Sequence, residues 1–204
     1  PGGTVGAMER NSGSMVLHYR LVEKLGEGGM GIVWKAVDTK LDRDVAIKFL
    51  PESFKEDPSR LARFEREAKI IASLSHPNIV TIHSVEEAQG DRFFTMELIE
   101  GETLSAIIPP GGLPLERFLA IAIPVADALV AAHERGIVHG DLKPANIMVA
   151  EQRRVKLLDF GLAKPLVTLS GTDLASLPTQ SLSVGYGITG TLPYMAPEQI
   201  LGRS

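Results

Sequence analysis

A short polar stretch and the acidic turn after it carry the residues best suited to chemistry. The stretch from His139 to Asn146, called here the polar loop, holds a carboxylate at Asp141, an ammonium at Lys143 and a carboxamide at Asn146, and a second carboxylate follows at Asp159. A carboxylate can orient and deprotonate an attacking hydroxyl, and a lysine can offset charge on a moving phosphoryl group. Amide and carboxylate oxygens are hard ligands that suit Mg²⁺. The set predicts phosphoryl transfer from a magnesium nucleotide to a hydroxyl.

The two loops flank a short predicted hairpin. Ile147 to Val149 and Val155 to Leu158 each have the composition of a strand, and the polar loop precedes the first strand whereas Asp159 follows the second. Antiparallel strands place the start of one beside the end of the next, so the two loops should lie side by side. Any one of these polar residues could instead cap its own backbone in an Asx turn. The occurrence of four such residues together with a glycine-rich turn and Lys48 upstream disfavours that alternative.

A glycine-rich turn lies far upstream, between two predicted strands. One strand begins at Tyr19 and the other spans Ile32 to Val37, with Gly26, Gly28 and Gly31 between them. A lone GxGxxG pattern is a weak signal, because ordinary hairpins and Rossmann phosphate loops also carry it, although a helix follows in the Rossmann case. Here a strand follows. The pattern alone therefore fits two interpretations equally: a plain hairpin turn, or a flexible flap whose backbone amides bind phosphates.

The next predicted strand carries a lysine within an apolar run. Alternation along Val45 to Lys48 places Ala46 and Lys48 on one face. On the pattern alone, the common alternative is an edge lysine that reaches solvent along its aliphatic stem. An inward lysine needs an anionic partner, since an unpaired buried charge is costly. Glu67, on the amphipathic helix predicted over residues 58–73, is the candidate partner.

Composition excludes several classes of function. The chain has 204 residues, of which 44% are hydrophobic and 23% charged, as in folded globular domains. Its net charge of −4 gives no general attraction to nucleic acid, and no apolar run is long enough to predict a membrane span within this segment. The chain has no cysteine, so disulfides and thiolate zinc sites are excluded. The expected location is the cytoplasm, with any membrane tether outside this segment.

Taken in order, these motifs resemble the protein kinase catalytic domain. The resemblance runs from about Tyr19 to the end, and also rests on Asp159-Phe160-Gly161 and Ala196-Pro197-Glu198. It implies an α+β, two-lobe fold, with a five-stranded antiparallel sheet and one helix in the first lobe and a mainly helical, incomplete second lobe. The expected divisions are a disordered lead over residues 1–18, a first lobe over 19–98, a hinge over 99–101 and a partial second lobe over 102–204.

The resemblance also implies a role for each site residue, with ATP and Mg²⁺ as cofactors. Lys48 would pair with Glu67 and hold the α and β phosphates, Asp141 would be the catalytic base, and Asn146 and Asp159 would be the magnesium ligands. Lys143 and Asn146 complete the implied catalytic set. Further nucleotide contacts would be Leu25, Gly26, Glu27, Gly28, Gly29, Met30, Gly31, Ile32, Val33, Ala46, Met96 as gatekeeper, Glu97, Ile99 and Met148. A stacked spine is implied for Ile71, Ile82, His139 and Phe160.

Two details resemble serine/threonine rather than tyrosine kinases. These are Lys143 and the run Gly190 to Met195 before Ala196. The residue sequence of the glycine-rich turn, Gly-Glu-Gly-Gly-Met-Gly, is similar to that of bacterial members. The implied function is transfer of the γ-phosphoryl group of ATP to Ser or Thr of protein substrates. A nucleotide-binding pseudokinase or interaction scaffold is the alternative, although the base, the lysine and the metal-binding Asp are all present. A small-molecule kinase of the aminoglycoside type shares the His-Gly-Asp spelling but is not expected to carry the Ala-Pro-Glu motif.

Two departures from the family pattern give further expectations. Gly140 stands where most members have the Arg that docks a phosphorylated activation loop, so activity should not depend strongly on phosphorylation of residues 162–189. Within that segment, Thr168 to Ser183 is a candidate for autophosphorylation. Only Gln199 to Ser204 follow the Ala-Pro-Glu motif, whereas the family continues for several helices. The free chain is therefore expected to be a poorly stabilised fragment that exposes Leu129, Ile200 and their neighbours and lacks its own C-terminal region as a partner.

Overall fold

The strands predicted from alternating apolar residues form two sheets in the computed structural model, which describes residues 10–28, 31–51, 68–69, 71–150, 154–160 and 194–197. The first sheet contains β1 Met15–Val16, β2 Tyr19–Gly28, β3 Gly31–Asp38, β4 Arg43–Phe49, β5 Ile82–Ala88 and β6 Asp91–Glu97. The second contains β7 Gly101–Thr103, β8 Ile147–Ala150 and β9 Val155–Leu157. The spatial orders are β1-β2-β3-β4-β6-β5 and β7-β8-β9.

The pairing register sorts the side chains of the first sheet onto two faces. Lys48 of β4 lies opposite Val33 of β3 and Phe94 of β6, and Ala46 lies opposite Met96. Directly opposed residues point to the same side of a sheet, and residues two apart along a strand share a face. These five side chains therefore lie on one face, as alternation predicted for Ala46 and Lys48.

The opposite face carries the main apolar core of the first sheet. The rings of Phe49 and Phe93 lie 5.3 Å apart, and Tyr19 meets Phe93 edge-on at 6.2 Å. Burial of each large apolar side chain contributes about 1.5–3 kcal/mol, so this cluster holds the strands in register. Its buried members are Val16, Tyr19, Leu21, Trp34, Ala36, Val45, Ile47, Phe49 and Phe93.

Ordered structure begins upstream of the first predicted strand. The sequence predicted a disordered lead through residue 18, and for residues 10–18 that prediction is wrong; residues 1–9 lie outside the described part of the chain. Met15 pairs with Arg20, Val16 is buried in the core, and the Gly13 N–H donates to the Leu21 carbonyl at 2.8 Å. The described part of the first sheet accordingly has six strands rather than the predicted five.

The chain divides into two compact units. The first comprises Pro1–Glu52 and His83–Leu98, and the second comprises Ser53–Ile82 and Ile99–Ser204. The intervening segment Ser53–Ile82, which lies within the first lobe expected over residues 19–98, groups with the second unit.

Hydrogen bonds to β9 hold that intervening segment in the second unit. The Asn78 side-chain N–H donates to the Val155 carbonyl at 2.9 Å, and the Leu157 N–H donates to the Asn78 carbonyl at 2.8 Å. Residues 68–69 and 71–72, near the C-terminal end of the predicted helix, are helical. The rest of that helix, Glu67 included, lies outside the described residues.

A long helix packs in the second unit. After the short helix α1 (Leu104–Ile107), helix α2 spans Leu115–His133 and continues through Pro124. The inner face of α2 buries Ile121, Val125, Ala128 and Ala132. Its outer face exposes Leu115, Phe118, Leu119, Ile123 and Val130, whereas Leu129 is half-buried and Ile200 lies outside the described residues. None of the helices in the described ranges is long and apolar enough to cross a membrane.

The tight turn between β1 and β2 places a leucine in a disfavoured backbone conformation. Val16 and Tyr19 are paired, so Leu17 and His18 form a two-residue loop. Such loops need positive φ, which glycine and asparagine usually provide. Leu17 has φ 53° and its side chain is 51% exposed, so it carries a steric cost without burying its side chain fully.

Replacement of Leu17 by Gly is expected to raise the free energy of unfolding by about 0.5–1 kcal/mol, because the steric cost of positive φ exceeds the entropy that glycine adds to the unfolded chain. Trp34, buried in the first-sheet core, provides a local fluorescence signal for a urea titration. Leu41→Gly is the matched control, since Leu41 is exposed and has no positive φ. It should lower stability, and equal destabilisation by both variants would show that the turn is unstrained.

Candidate active site

Asp141 lies at the centre of a buried polar cluster in the second unit. Its Oδ2 accepts hydrogen bonds from Lys143 Nζ at 2.9 Å and from Asn146 Nδ2 at 3.1 Å. The same Asn146 amide also donates to the Asp141 carbonyl at 2.8 Å. The Asp141 side chain is 0% exposed and that of Lys143 is 18% exposed. A buried carboxylate needs charged or hydrogen-bonding partners, so the three side chains fix one another.

A turn of 3₁₀ helix over Pro144–Asn146 explains how two of these side chains reach the same carboxylate. Lys143 precedes the turn in an extended conformation, and its carbonyl accepts the Asn146 N–H at 2.9 Å. Proline suits the first helical position because its φ is already helical and that position needs no N–H donor. Lys143 and Asn146 lie three residues apart, which brings them to one side of the turn.

The imidazole of His139 joins the polar loop to the segment around Asp159. The Asp141 N–H donates to His139 Nδ1 at 3.2 Å, and His139 Nε2 lies 2.8 Å from the Leu158 carbonyl. Since Nδ1 accepts a hydrogen bond, the ring proton lies on Nε2, which donates to Leu158. The ring also packs on Phe160, with centroids 4.7 Å apart. His139 therefore holds residues on both sides of Asp159.

The hairpin predicted from the sequence brings Asn146 beside the segment that leads to Asp159. Ile147 of β8 pairs with Leu157 of β9, and the Leu158 N–H donates to the Asn146 carbonyl at 2.8 Å. Asp159 then takes φ 48°, a left-handed conformation that turns the chain directly after Leu158. Asn146 and Leu158 are therefore joined through their backbones, and Asp159 directly follows Leu158.

The donor set fits a magnesium ion that is bound together with phosphates. Asn146 uses its amide N–H for Asp141, which leaves the amide oxygen as its cation ligand, and Asp159 adds a carboxylate. Within the described ranges, no group of three or more His, Asp or Glu side chains could hold a metal alone. Magnesium commonly takes one or two protein oxygens and completes its shell with phosphate and water.

The lysine of β4 is buried on the sheet face that it shares with Val33 and Ala46. Lys48 is 5% exposed, and its Nζ lies 6.0 Å from the centroid of the Phe94 ring. The alternative of an edge lysine that reaches solvent is therefore wrong. Phe94 was not selected from the sequence, although the two-residue period of β6 relative to Met96 could have indicated it.

The glycine-rich turn joins two antiparallel strands, as predicted. Gly28 of β2 pairs with Gly31 of β3, so no helix follows and a Rossmann loop is excluded. At Gly26 and Gly28, an added Cβ would meet no atom within 4 Å, and neither has positive φ. Packing in the described structure does not explain these two glycines.

The remaining predicted contacts divide between described and undescribed positions. Leu25 and Glu27 are exposed, and Glu27 pairs with Lys24 at 2.8 Å. Met96 is buried, and the half-buried positions are Ile32, Glu97, Ile99 and Met148. The spine positions Ile71, Ile82, His139 and Phe160 are all buried. Outside the described residues lie Gly29, Met30, Glu67, Gly161, Glu198 and the segments 162–189 and 168–183.

Comparison with known proteins identifies the family of this chain. Residues 19–204 match the sequence profile of the family described as protein kinase domain. The chain belongs to the protein kinase domain family. Members of this family use ATP and Mg²⁺, and the fold expected from the resemblance is confirmed.

Similar proteins are bacterial serine/threonine kinases. A probable serine/threonine-protein kinase of Clostridium perfringens is 40% identical over 185 residues, which are 90% of this chain and 25% of that protein. The serine/threonine-protein kinase PknA of Mycobacterium tuberculosis is 38% identical over 191 residues, covering 91% of this chain and 42% of PknA. A crystal structure of the M. tuberculosis PknI kinase domain has a TM-score of 0.67 and 31% identity, over 76% of this chain and 64% of that one. The kinase domain chain thus spans a quarter to about two fifths of these curated relatives.

Contacts around residues 76–78 of the kinase domain were not predicted from the sequence. His76 Nε2 lies 3.2 Å from Asp127 Oδ2 of α2, and the Asn78 N–H donates to His76 Nδ1 at 3.2 Å. Two polar residues flanking a proline between apolar runs were the available signal, but their partners lie 51 and 77 residues away in sequence.

Gly140 is expected to be required for the geometry of Asp141. Its φ is 71°, so Gly140→Ala should lower the free energy of unfolding by about 1 kcal/mol. Displacement of Asp141 should lower the phosphotransfer rate about 10- to 100-fold. Gly136→Ala is the matched control, because Gly136 has φ 70° after α2 and open space around it. It should cost similar stability and leave the rate unchanged; equal rates in the two variants would refute the requirement.

Proposed function

We propose that this chain is the catalytic core of a serine/threonine protein kinase that transfers the γ-phosphoryl group of Mg-ATP to Ser or Thr hydroxyls of proteins. The main support is the buried cluster of Asp141, Lys143 and Asn146, which is bonded to the segment that carries Asp159. The names of the relatives support the substrate class. The absence of cysteine fits the cytoplasm as the proposed location.

In this proposal, side chains of the first unit bind the nucleotide. Lys48 donates to the α and β phosphates, and the backbone N–H groups of the glycine-rich turn bind phosphate oxygens. Val33 and Ala46, on the same sheet face as Lys48, contact the adenine ring. An ammonium group binds anionic phosphate oxygens through charge-assisted hydrogen bonds.

Residues of the second unit carry the proposed chemistry. Asp141 orients the substrate hydroxyl and accepts its proton as the hydroxyl oxygen attacks the γ-phosphorus, while the bond between the γ-phosphorus and the β–γ bridging oxygen breaks and ADP leaves. Lys143, 2.9 Å from Asp141, stabilises charge on the transferred group and keeps the carboxylate in place. Asn146 and Asp159 supply the oxygen ligands for Mg²⁺, which offsets phosphate charge when bound.

The pseudokinase or scaffold alternative is less well supported. Such proteins are expected to have lost the base, the lysine or the metal-binding Asp, and this chain keeps Asp141, Lys48 and Asp159. A small-molecule kinase is disfavoured because the protein kinase profile matches through residue 204 and includes Ala196-Pro197-Glu198.

Asp141→Asn is expected to lower phosphotransfer at least about 100-fold, because an amide cannot accept the hydroxyl proton. ATP binding should persist, since Asp141 is not a proposed nucleotide ligand. Radiolabel transfer to protein and a magnesium-dependent thermal shift with ATP measure the two properties in the full-length protein. Asp127→Asn, the same change at an exposed position on α2, should leave transfer unchanged. Retained transfer in Asp141→Asn would show that Asp141 is not the base. Lys48→Met, by contrast, should abolish transfer and also weaken ATP binding.

Activity is expected to change less than about twofold when the purified protein is treated with a phosphatase, because Gly140 supplies no guanidinium to dock a phosphorylated segment. Mass spectrometry before and after treatment establishes which sites of residues 162–189 were modified. A large fall in rate that accompanies loss of phosphate there would refute this expectation.

A further inference from the structure

Residues 10–18, called here the N-terminal strap, precede the family match but are built into the first unit. The match begins at residue 19, whereas Val16 of the strap is buried in the first-sheet core. The Leu21 N–H donates to the Ser14 carbonyl at 2.9 Å. Thr39, in the β3–β4 turn, donates to the His18 carbonyl through its Oγ1 at 2.6 Å. The strap is therefore bound at several points along its length.

Arg10 connects the start of the strap to two strands far from it in sequence. Its guanidinium carbon lies 4.1 Å from the centroid of the Phe49 ring, at the end of β4. The same guanidinium forms an ion pair with Asp91, the first residue of β6. The side chains of Arg10 and Asp91 are 16% and 11% exposed. Partial burial strengthens both the cation–π contact and the ion pair relative to an exposed surface pair.

Phe49 links this contact to the proposed nucleotide-binding residues. It directly follows Lys48 and lies opposite Ile32 of β3, next to the glycine-rich turn. A Cβ added to Gly31 would lie 1.9 Å from the Phe49 carbonyl oxygen, so the last glycine of the turn packs against the Phe49 backbone. Displacement of Phe49 would therefore move both Lys48 and the base of the turn.

We propose that Arg10 is a positioning residue for ATP binding: it holds the end of β4 through Phe49 and Asp91, and so places Lys48 and Gly31 for the phosphates. This inference rests on the proposed function, because it assigns nucleotide binding to the first unit. It extends the functional unit upstream of the family boundary at residue 19.

A second contact between distant strands of the same sheet provides a control. Tyr19 of β2 donates through its hydroxyl to Glu86 Oε1 of β5 at 2.7 Å. Burial is the largest influence on the pKa of Tyr19 and raises it, so the phenol stays protonated and donates. Tyr19→Phe removes this bond without touching Phe49 or Asp91, and it should lower stability without changing the nucleotide site.

The test compares Arg10→Met, Arg10→Lys and Tyr19→Phe in the full-length protein. Arg10→Met keeps an aliphatic stem but removes the charge, and it should raise the KM and Kd for Mg-ATP about fivefold, with kcat changed less than about twofold. Arg10→Lys should restore much of the affinity, because an ammonium retains the ion pair and the cation–π contact. Tyr19→Phe should lower the urea midpoint followed by Trp34 fluorescence and leave KM unchanged. Unchanged KM in Arg10→Met, or equal rises in Arg10→Met and Tyr19→Phe, would overturn the proposal.

Hydrogen exchange separates this inference from the proposed function. The Leu50 N–H donates to the Arg92 carbonyl at 2.9 Å, directly beside Phe49 and Asp91. In Arg10→Met, exchange of the Leu50 amide should become about tenfold faster without nucleotide, and unchanged exchange would overturn the positioning role. If exchange accelerates but the unsubstituted protein binds no Mg-ATP in the thermal shift, the proposed function fails, and with it the nucleotide role of Arg10.

Discussion

A carboxylate without solvent contact imposes the main constraint on the second unit. Asp141 can remain ionised in its buried position only if neighbouring groups provide charge and hydrogen bonds. Lys143 and Asn146 provide them from one short turn, and His139 fixes the loop by accepting the Asp141 N–H. His139 in turn donates to Leu158, so the same set of bonds determines where the second loop begins. The candidate catalytic geometry follows from compensation of one buried charge.

The first unit also buries a charged side chain, that of Lys48. Lys48 is almost fully buried on a face that it shares with apolar side chains of β3 and β6. The opposite face of the sheet carries the packed apolar core. This core fixes the strand register, and the register places Lys48 on the other face. Burial of the lysine is therefore a consequence of packing on the other side of the sheet.

Local patterns in the sequence predicted the features that depend on local interactions. Alternation indicated β2 and β4, and apolar composition indicated β3 and the β8–β9 hairpin. Asp141, Lys143 and Asn146 were predicted on one short loop. The order of residues 10–18 was not predictable, because residues 10–14 are polar or glycine and the apolar run Met15 to Leu17 is short. The order of this segment comes from pairing with β2. β7 is three residues long and is defined by its pairing with β8. Likewise, the attachment of Asn78 to β9 depends on a partner that periodicity cannot identify.

Sequence separation explains why catalytic groups and positioning groups differ in this respect. Asn146 and Asp141 are five residues apart, so one motif contains both partners of the bond and can be recognised as a unit. Arg10 and Asp91 are 81 residues apart, and neither lies in a motif that indicates the other. Their contact exists only because β2, β3, β4 and β6 assemble in one sheet, which brings the strap over Phe49. Positioning residues whose partners are distant in sequence are therefore identified from the structure, whereas candidate catalytic residues within one motif can be recognised from the sequence.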